Sequence, residues 1–429
     1  MKYNQITNAV FSTNRTRFCS LLKPNSLVLI NSNDEFPRSG DQNHLFKQNA
    51  DLFYLSGIDQ EQSILLLFPD CPNPLYKEVL FLRQTNEHIA VWEGYKYTRE
   101  EAEKASGIKT VFWLQELDAI LSAVIFYAEN IYLNTNENDR YDHTVSYRDL
   151  RFIQQLKEKY PLHQYFRAAP IFRDLRAVKS PAEVALISKA CQLTKDAFFR
   201  VLKFVKPGVC EYEIEAEIIH EFIRQRGTGH AYNPIIASGN NANILHYNDN
   251  NQICKAGDVI LMDFGAEYAN YNADMTRSIP VNGRFTSRQK AVYKAVLNVM
   301  KESIKLLKPG VMWNAYHEEV GKIMTSELIG LGLLDRNDVA KQSPDMPLYK
   351  KYFMHGNSHH LGLDVHDFAG RYTPFAAGNV LTVEPGIYIP AEGFGIRLEN
   401  NILITENGTI DLMADIPLEA DHIEELMNA

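Results

Sequence analysis

The chain has 429 residues, of which 45% are hydrophobic and 23% are charged, and its formal net charge at pH 7 is −9. An acidic balance without a basic run makes the chain a poor candidate for binding nucleic acid or an anionic membrane. A chain of this length exceeds what one hydrophobic core usually supports, so we expect two domains.

The cysteines and the first residues bear on the cellular compartment. The five cysteines are scattered, odd in number and without CxxC spacing, which argues against a disulfide framework or a thiolate zinc site. The first 20 residues are polar and lack the apolar core of a signal peptide. No apolar stretch reaches the roughly 20 residues that a membrane span needs. We therefore expect a cytoplasmic protein.

The N-terminal part of the chain alternates short apolar runs with helical patterns. The runs at 27–30, 64–68 and 79–82 are bounded by polar turns, which is typical of strands. Helical patterns are present at 114–127 and 147–160. Together these elements predict an α/β domain over residues 1–170.

A second domain, residues 171–429, begins with a clear helix start. Ser180 is a suitable N-cap, Pro181 fits the first turn, and Glu183 completes a capping box. The sequence predicts that this helix extends to about Val205 and stops at the Pro-Gly pair that follows.

Two short motifs recur in the same order within this second domain. Lys206-Pro207-Gly208-Val209 recurs as Lys308-Pro309-Gly310-Val311, and Ala256-Gly257-Asp258-Val259 recurs as Ala377-Gly378-Asn379-Val380. Each copy of the first motif lies between two long amphipathic helical patterns. The shared order predicts a duplicated half-domain, and two copies are too few for a solenoid. We therefore expect an α+β domain with pseudo-twofold symmetry.

The repeated motifs lead to acidic residues at the ends of apolar strands. Asp263 lies seven residues after Ala256, and Glu384 lies seven residues after Ala377. A carboxylate in such a position is costly to bury unless it is paired or bound to a metal. For one acid alone, a surface salt bridge or an exposed strand residue would be the better interpretation. Two acids in equivalent places favour a metal.

Each of these acids has a second acid at hairpin distance. A turn centred on Tyr268-Ala269 would place Asp274 directly opposite Asp263. In the second copy, a turn at Ala391-Glu392 would place Glu399 opposite the acid of that copy. Four acids that face one another repel, and such a set persists when cations or protons neutralise it.

A cluster of histidines gives a second indication of a metal. His355, His359, His360 and His366 lie within 12 residues, whereas a lone histidine such as His246 is more often a structural residue. Carboxylates with one imidazole form an oxygen-rich ligand set that suits Mn²⁺. Two ions about 3.5–4 Å apart can polarise a carbonyl, which is the two-metal strategy for hydrolysis.

Five segments of the second domain resemble the pita-bread metallopeptidases (family M24), which include aminopeptidase P, prolidase and methionine aminopeptidase. These segments are 262–265, 273–277, 355–366, 382–386 and 395–399. The segment 47–57 resembles the N-terminal domain of aminopeptidase P, which methionine aminopeptidase lacks. The chain departs from the family pattern at Phe264, where a small residue is more usual, and in its short connection from Tyr388 to Gly395. The resemblance implies a pita-bread (creatinase/aminopeptidase) fold for the second domain.

The resemblance also implies a role for each matching residue. The implied metal ligands are Asp263 for one ion, Asp274 and Glu399 bridging both ions, and His359 and Glu384 for the other ion. The residues implied to contact substrate or move protons are His246, His355, His366 and Glu384, with Glu384 as the candidate proton acceptor. Arg397 and Tyr388 resemble residues that fix the bridging acid Glu399.

The implied reaction is metal-dependent hydrolysis of the peptide bond between an N-terminal residue and a penultimate proline, as in an Xaa-Pro aminopeptidase. The expected cofactors are two divalent metal ions, Mn²⁺ first, with Zn²⁺, Co²⁺ or Fe²⁺ as alternatives. The expected partners are such peptides and further copies of the chain, in a dimer or tetramer. Three other functions stay open: an Xaa-Pro dipeptidase (prolidase), a metal-free creatinase-type hydrolase and a non-catalytic binding protein.

Overall fold

The computed structural model describes residues 3–138, 140–141 and 144–429. Contacts between Cα atoms separate the chain into two units, Tyr3–Leu175 and Arg176–Ala429. Each unit has its own sheets and its own buried apolar side chains. Within the described residues, no helix is both long enough and apolar enough to cross a membrane.

The strands of the N-terminal unit form mainly one mixed sheet. They are β1 (Ser26–Asn31), β2 (Pro37–Ser39), β3 (Gln42–Asn43), β4 (Ile64–Leu67), β5 (Glu78–Leu82), β6 (Thr110–Trp113), β7 (Asn130–Leu133) and β8 (Gln164–Arg167). The sheet order is β6-β5-β4-β1-β7-β8, with β4 antiparallel to both neighbours and the other adjacent pairs parallel. Leu27, Leu29, Leu66 and Phe81 are among the residues of the core. The three predicted strands are confirmed.

The helices of the N-terminal unit are α1 (Asn8–Cys19), α2 (Ala50–Ser56), α3 (Glu87–Glu93), α4 (Arg99–Ser106), α5 (Leu117–Val124), α6 (Arg148–Lys159) and α7 (Ala169–Ala177). Three of them, α2, α3 and α4, begin at residues whose side chains cap them. The side chain of Asn49 accepts hydrogen bonds from the first turn of α2, and Gly57 ends that helix in a left-handed conformation. The helix predicted at 147–160 is α6, and the one predicted at 114–127 is α5 with a 3₁₀ turn at each end.

The C-terminal unit contains six further helices and the strands that carry the acids. The helices are α8 (Pro181–Phe204), α9 (Glu211–Arg224), α10 (Ser287–Leu306), α11 (Trp313–Gly330), α12 (Arg336–Lys341) and α13 (Ala420–Met427). The strands are β9 (Gly229–His230), β10 (Ile235–Ser238), β11 (Val259–Asp263), β12 (Ala266–Tyr268), β13 (Tyr271–Asn272), β14 (Thr276–Pro280), β15 (Val380–Val383), β16 (Gly386–Ile389), β17 (Phe394–Arg397), β18 (Asn400–Thr405) and β19 (Gly408–Asp411). The capping box of Ser180 and Glu183 at the start of α8 is confirmed.

The sheets of this unit are small and antiparallel. Three of them have three strands each, in the orders β10-β11-β14, β13-β12-β9 and β15-β18-β19, and β16 pairs with β17 alone. Strands β11 and β15 are buried along their apolar residues. Each of these two strands leads directly to one of the acids that the sequence singled out.

The duplicated motifs have matching backbone conformations. Their glycines all have positive φ: 95° at Gly208, 88° at Gly310, 90° at Gly257 and 92° at Gly378. The N–H of Gly208 donates to the carbonyl of Cys254 (2.9 Å), and the N–H of Gly310 donates to the carbonyl of Phe375 (2.8 Å). Because the same turn makes the same hydrogen bond in both copies, the predicted pseudo-twofold relationship is present in the backbone.

Candidate metal centre

The first hairpin brings Asp263 and Asp274 together with a register that differs from the expected one. Its turn is centred on Ala269-Asn270, where both residues have positive φ (52° and 65°), instead of on Tyr268-Ala269. Consecutive left-handed residues form the type of turn that matches the twist of a two-stranded hairpin, and Asn tolerates this conformation well. Asp263 is therefore paired with Thr276. Relative to the prediction, the turn is displaced by one residue and the residue paired with Asp263 is displaced by two. Because a displacement of two residues preserves the alternation of side chains, both acids remain on the same face.

Gly265 explains how closely the two strands of this hairpin approach. The pairing places Gly265 opposite Asp274, because the flanking residues exchange backbone hydrogen bonds from Phe264 N to Met275 O and from Ala273 N to Ala266 O. A Cβ atom on Gly265 would lie 1.7 Å from the carbonyl oxygen of Ala273. The glycine that follows Phe264 is thus required by the backbone next to Asp274.

The second hairpin has the predicted register. Gly386 pairs with Arg397 on β16 and β17, and Val383 pairs with Asn400 on β15 and β18. A 3₁₀ turn at Pro390–Glu392 connects the strands, so the turn has the predicted centre. Glu384 and Glu399 lie between these paired positions and are therefore opposite one another.

The acids of both hairpins meet at His359. Asp274, His359 and Glu399 each offer one ligand atom, and these atoms all lie within 4.8 Å of one another. The Nε2 atom of His359 is 3.3 Å from Oδ2 of Asp274 and 3.6 Å from Oε1 of Glu384. Its Nδ1 atom is 2.9 Å from the carbonyl oxygen of His360, which accepts its hydrogen bond and leaves Nε2 to face the acids.

Tyr232 connects Asp263 to the same cluster. Its hydroxyl is hydrogen-bonded to one oxygen of Asp263 and one oxygen of Asp274. Burial and the charges of the two aspartates raise the pKa of Tyr232 well above its ordinary value. The hydroxyl therefore keeps its proton and fixes both carboxylates. The structure thus brings together all five residues implied as metal ligands.

The electrostatics of the cluster disfavour four ionised carboxylates without a cation. Burial, reinforced by the charge of Asp274, raises the pKa of Glu384 to about 7. Burial and the neighbouring carboxylates raise the pKa of Glu399 well above its ordinary value. The pKa of Asp274 is also raised by burial and by Asp263, with the hydrogen bond to His359 acting in the opposite direction. Like charges held this close need positive charge between them.

Divalent cations fit these residues. Glu399 is only 1% exposed, and its buried Oε1 atom has no hydrogen-bond partner among the described residues. A buried carboxylate oxygen without a donor is strongly destabilising unless a ligand satisfies it. Four carboxylates and one imidazole are the donors that Mn²⁺ and similar ions accept. The orphaned oxygen and the donor set therefore both agree with a metal centre.

Arg397 is hydrogen-bonded to the cluster of acids, but its carboxylate partner differs from the expected one. The resemblance implies that Arg397 fixes Glu399, whereas its Nη2 atom donates to Oδ2 of Asp263 (2.5 Å). Its Nη1 atom donates to the hydroxyl of Tyr388 (2.8 Å) and its Nε atom to Oγ1 of Thr276 (3.0 Å). Thr276 in turn donates to Glu399 (2.7 Å). The hydrogen bonds of Arg397 thus reach Glu399 through Thr276.

His355 is held as a neutral imidazole beside the acids. Its Nε2 atom is 2.7 Å from the hydroxyl of Tyr388, and its Nδ1 atom is 2.8 Å from the carbonyl oxygen of Gly356. Burial and the charge of Arg397 lower its pKa to about 3. Because Nδ1 donates to the carbonyl, Nε2 accepts from the Tyr388 hydroxyl. The Nδ1 atom is 3.8 Å from Oε2 of Glu384.

The other histidines differ in their relation to the acids. His366 is exposed, and its ring centroid is 4.4 Å from that of His359. His246 is also exposed and is close enough to contribute to lowering the pKa of His355. His360 instead stacks on Trp313, with ring centroids 6.0 Å apart and planes at 15°. Of the four histidines at 355–366, three therefore lie at the acid cluster (His355, His359 and His366), and His360 packs against Trp313.

The sequence did not reveal several residues that support the acids. Tyr232 lies 31 residues before Asp263, and no spacing connects the two. Asn401 accepts a hydrogen bond from the backbone N–H of Asp274 and donates one to its carbonyl. Thr276 could have been found, because it lies two residues after Asp274 in the predicted strand, where such residues face the same side.

Family comparison agrees with this class of site. Residues 185–406 match the metallopeptidase family M24, and residues 11–132 match the N-terminal domain of aminopeptidase P. The chain belongs to metallopeptidase family M24 and has the two-domain organisation of an aminopeptidase P-type N-terminal domain followed by a pita-bread domain.

Individual relatives are similar over almost their whole length. The Xaa-Pro aminopeptidase of Haemophilus influenzae is 34% identical over 431 residues, which cover 97% of each chain. The structure of aminopeptidase PepP from Pseudomonas aeruginosa has a TM-score of 0.89 at 30% identity and covers 99% of this chain and 98% of its own. Zinc-substituted aminopeptidase P from Escherichia coli, solved with product, has a TM-score of 0.88 at 31% identity over 99% of both chains.

Proposed function

We propose that this chain is an Xaa-Pro aminopeptidase, which hydrolyses the bond between an N-terminal residue and a penultimate proline. The observation that carries the proposal is the convergence of four carboxylates and one imidazole in the C-terminal unit. Full-length relatives named Xaa-Pro aminopeptidase support the same activity. The N-terminal domain of aminopeptidase P supports it over methionine aminopeptidase.

The proposed cofactor is a pair of divalent metal ions, with Mn²⁺ as the first candidate and Zn²⁺, Co²⁺ and Fe²⁺ as alternatives. The residues that would hold the two ions are Asp263, Asp274, His359, Glu384 and Glu399. When bound, such ions supply Lewis acidity that polarises the scissile carbonyl and stabilises the developing oxyanion. Zinc is the ion present in one similar aminopeptidase P structure.

Glu384 is the proposed proton carrier. Its Oε1 atom accepts a hydrogen bond from Oγ1 of Thr382 (3.3 Å), which orients the carboxylate. In the proposed reaction, this carboxylate takes a proton from the water that attacks the carbonyl before proline. It returns the proton to the proline nitrogen when the C–N bond breaks, so the proton balance closes on one residue.

The histidines are proposed to bind and orient the substrate. His366 and His246 are exposed next to the cluster, so their imidazoles are available to a peptide. One of them would assist the tetrahedral intermediate or the leaving nitrogen. His355 and Arg397 are proposed catalytic residues as well, and both are joined to Tyr388.

Proline at the second position determines what recognition must achieve. The proline nitrogen carries no N–H, and the ring fixes φ near −65°. Peptidases that recognise an extended backbone through that N–H therefore lose a contact. A site shaped for the ring gains specificity from the same feature.

Several broader expectations are proposed with this function. We propose a domain division at residues 1–170 and 171–429, and a homo-oligomeric assembly, a dimer or tetramer. We also propose a cytoplasmic location. All five cysteines are free thiols, which agrees with a reducing compartment.

A peptide panel tests the activity and separates it from prolidase. Xaa-Pro, Xaa-Pro-Xaa and Xaa-Ala-Xaa peptides are incubated with Mn²⁺-loaded protein and with chelated protein. We expect metal-dependent release of the first residue from Xaa-Pro-Xaa and little cleavage of Xaa-Ala-Xaa. Cleavage of Xaa-Pro dipeptides alone would establish prolidase instead, and equal activity in chelator would exclude both.

A further inference from the structure

A fully buried glutamate lies at the start of α9, outside the metal cluster. Glu211 is the first residue of that helix and is 0% exposed. Its Oε1 atom accepts hydrogen bonds from the N–H (2.7 Å) and the hydroxyl (2.6 Å) of Ser238 and from Asn241 (3.3 Å). Its Oε2 atom accepts from the hydroxyl of Tyr247 (2.8 Å) and from the N–H of Gln252 (2.9 Å). Five donors and the positive end of a helix thus surround one carboxylate.

The donors all belong to the segment that carries His246. Ser238 ends β10, Asn241 lies in the following 3₁₀ turn, and Tyr247 is the next residue after His246. Burial and the hydrogen bond to Glu211 raise the pKa of Tyr247 to about 12, so its hydroxyl stays a donor. The side chain of His246 is exposed, and its backbone belongs to the segment whose donors bind Glu211.

The same segment is packed against the hairpin of the metal centre. Tyr247 and Ala242 belong to one buried cluster with Tyr388, whose hydroxyl contacts His355 and Arg397. A Cβ atom on Gly395 of β17 would lie 2.8 Å from the carbonyl oxygen of Ala242. A displacement of the segment at its Glu211 end would therefore change the distance between His246 and the acids.

The duplicated half shows that the fold does not itself require an acid at this position. Glu211 follows the first copy of the Lys-Pro-Gly motif by the same spacing as Trp313 follows the second, and each residue begins a helix. Trp313 is an apolar residue whose ring stacks on His360, next to the ligand His359. The carboxylate therefore serves something particular to the first half, and His246 is the candidate catalytic residue there.

We propose that Glu211 is a positioning residue for His246. It fixes the 238–252 segment through five hydrogen bonds and so places the imidazole of His246 against the substrate. This inference rests on the proposed aminopeptidase function. The proposal predicts that substitution of Glu211 lowers the rate of catalysis and leaves the amount of bound metal unchanged.

A double-mutant cycle tests the coupling between the two residues. Glu211→Gln is made in the wild type and in His246→Ala, and kcat and KM are measured on an Xaa-Pro-Xaa peptide with metal per chain determined for each protein. We expect Glu211→Gln to lower kcat/KM about 10- to 100-fold in the wild type. In the His246→Ala background the same change should cost less than about threefold, because coupled residues are not additive.

Two further variants keep the test decisive. Glu217 lies on the same helix, and Glu217→Gln removes the charge that faces Arg200, so its kcat/KM should equal that of the wild type. Tyr247→Phe removes one donor to Glu211 and keeps the ring. If Glu211→Gln does not fold, Tyr247→Phe replaces it in the cycle and should show the same coupling to His246 with a smaller loss of kcat/KM. Equal losses in both backgrounds, or wild-type kinetics in Glu211→Gln, would overturn the positioning role. A wild-type chain that binds metal but cleaves no peptide would instead overturn the proposed function, and the inference with it.

Discussion

Glu384 is proposed to combine metal binding and proton transfer in one side chain. It lies within 3.6 Å of His359 and accepts a hydrogen bond from Thr382. Glu384→Ala should therefore abolish turnover, with kcat lowered by at least about 10²–10⁴-fold, and leave the fold intact. The measurement is kcat in a metal-defined assay together with thermal unfolding. Glu406→Ala, which changes an exposed acid in the same half, is the matched control. Wild-type activity in Glu384→Ala would show that the proposed role is wrong.

Tyr232 is the residue that the sequence did not predict and whose removal is most informative. Its hydroxyl binds two acids of the cluster, Asp263 and Asp274. Tyr232→Phe keeps the ring and removes those hydrogen bonds, so we expect metal affinity to fall about 10- to 100-fold. Titration of metal into stripped protein measures the change. Unchanged affinity would mean that the two carboxylates are held adequately without the hydroxyl.

At the level of the elements, the two hairpins show what a sequence can determine. The register of β16 and β17 follows from the positions of the acids and from the glycines near the turn. The sequence predicts a turn one residue earlier in the first hairpin, because the alternation of side chains determines a face but does not determine the position of the turn. The conformations of Ala269 and Asn270 decide the register, and Ala269 gives no indication of a left-handed backbone.

Gly265 is where the register of the first hairpin becomes a steric requirement. A methyl group there would lie 1.7 Å from the carbonyl oxygen of Ala273, so the strand that carries Asp274 must move. We expect Gly265→Ala to lower the free energy of unfolding by about 1–3 kcal/mol and to reduce the metal bound per chain. Denaturant titration and metal analysis measure the two effects.

The control for this substitution is Gly330→Ala. Gly330 ends α11, and a Cβ atom there would meet nothing within 4 Å. Its free energy of unfolding should stay within about 0.5 kcal/mol of the wild type. Equal behaviour of the two alanine variants would contradict the close approach of the hairpin strands.

At the level of the whole molecule, the sequence predicts the elements that depend on neighbouring residues and does not predict contacts between residues far apart in the chain. The capping box at Ser180, the strands of both units and the repeated glycines are encoded within a few residues each. The contacts of Tyr232 and of Glu211 join residues 27 to 42 positions apart. Such contacts depend on how strands and helices pack, and one sequence contains no pattern that reports them.

The N-terminal unit has a buried acid whose titration should affect stability. Asp149 is 5% exposed, and burial raises its pKa from the ordinary 3.8 to about 7, although Asn31 donates a hydrogen bond to it. Between about pH 4 and pH 7 the folded chain holds a proton that the unfolded chain has released. Stability is therefore lost as pH rises through this window.

Replacing Asp149 with an uncharged residue should remove the loss of stability between pH 4 and pH 7. Asp149→Asn keeps an oxygen for the Asn31 amide, and we expect it to raise the free energy of unfolding by about 2–4 kcal/mol at pH 8 and by much less at pH 4. Thermal unfolding from pH 4 to pH 8 measures the difference. Asp118→Asn, at an exposed position of α5, should show no such dependence. A constant difference between Asp149→Asn and the wild type would contradict a buried titrating carboxyl.

Metal removal should destabilise the C-terminal unit, because its proposed ligands converge from segments far apart in the chain. Ions that bind only the folded state stabilise it by mass action, by about 2.7 kcal/mol at a concentration 100 times the Kd. We expect chelation to lower the melting temperature by about 5–10 °C, and Mn²⁺ to restore it. His359→Ala removes the imidazole that contacts both Asp274 and Glu384, so its melting temperature should respond little to chelator or to Mn²⁺. If the wild type and this variant responded equally, the stabilising ions would be bound somewhere other than at the five converging residues.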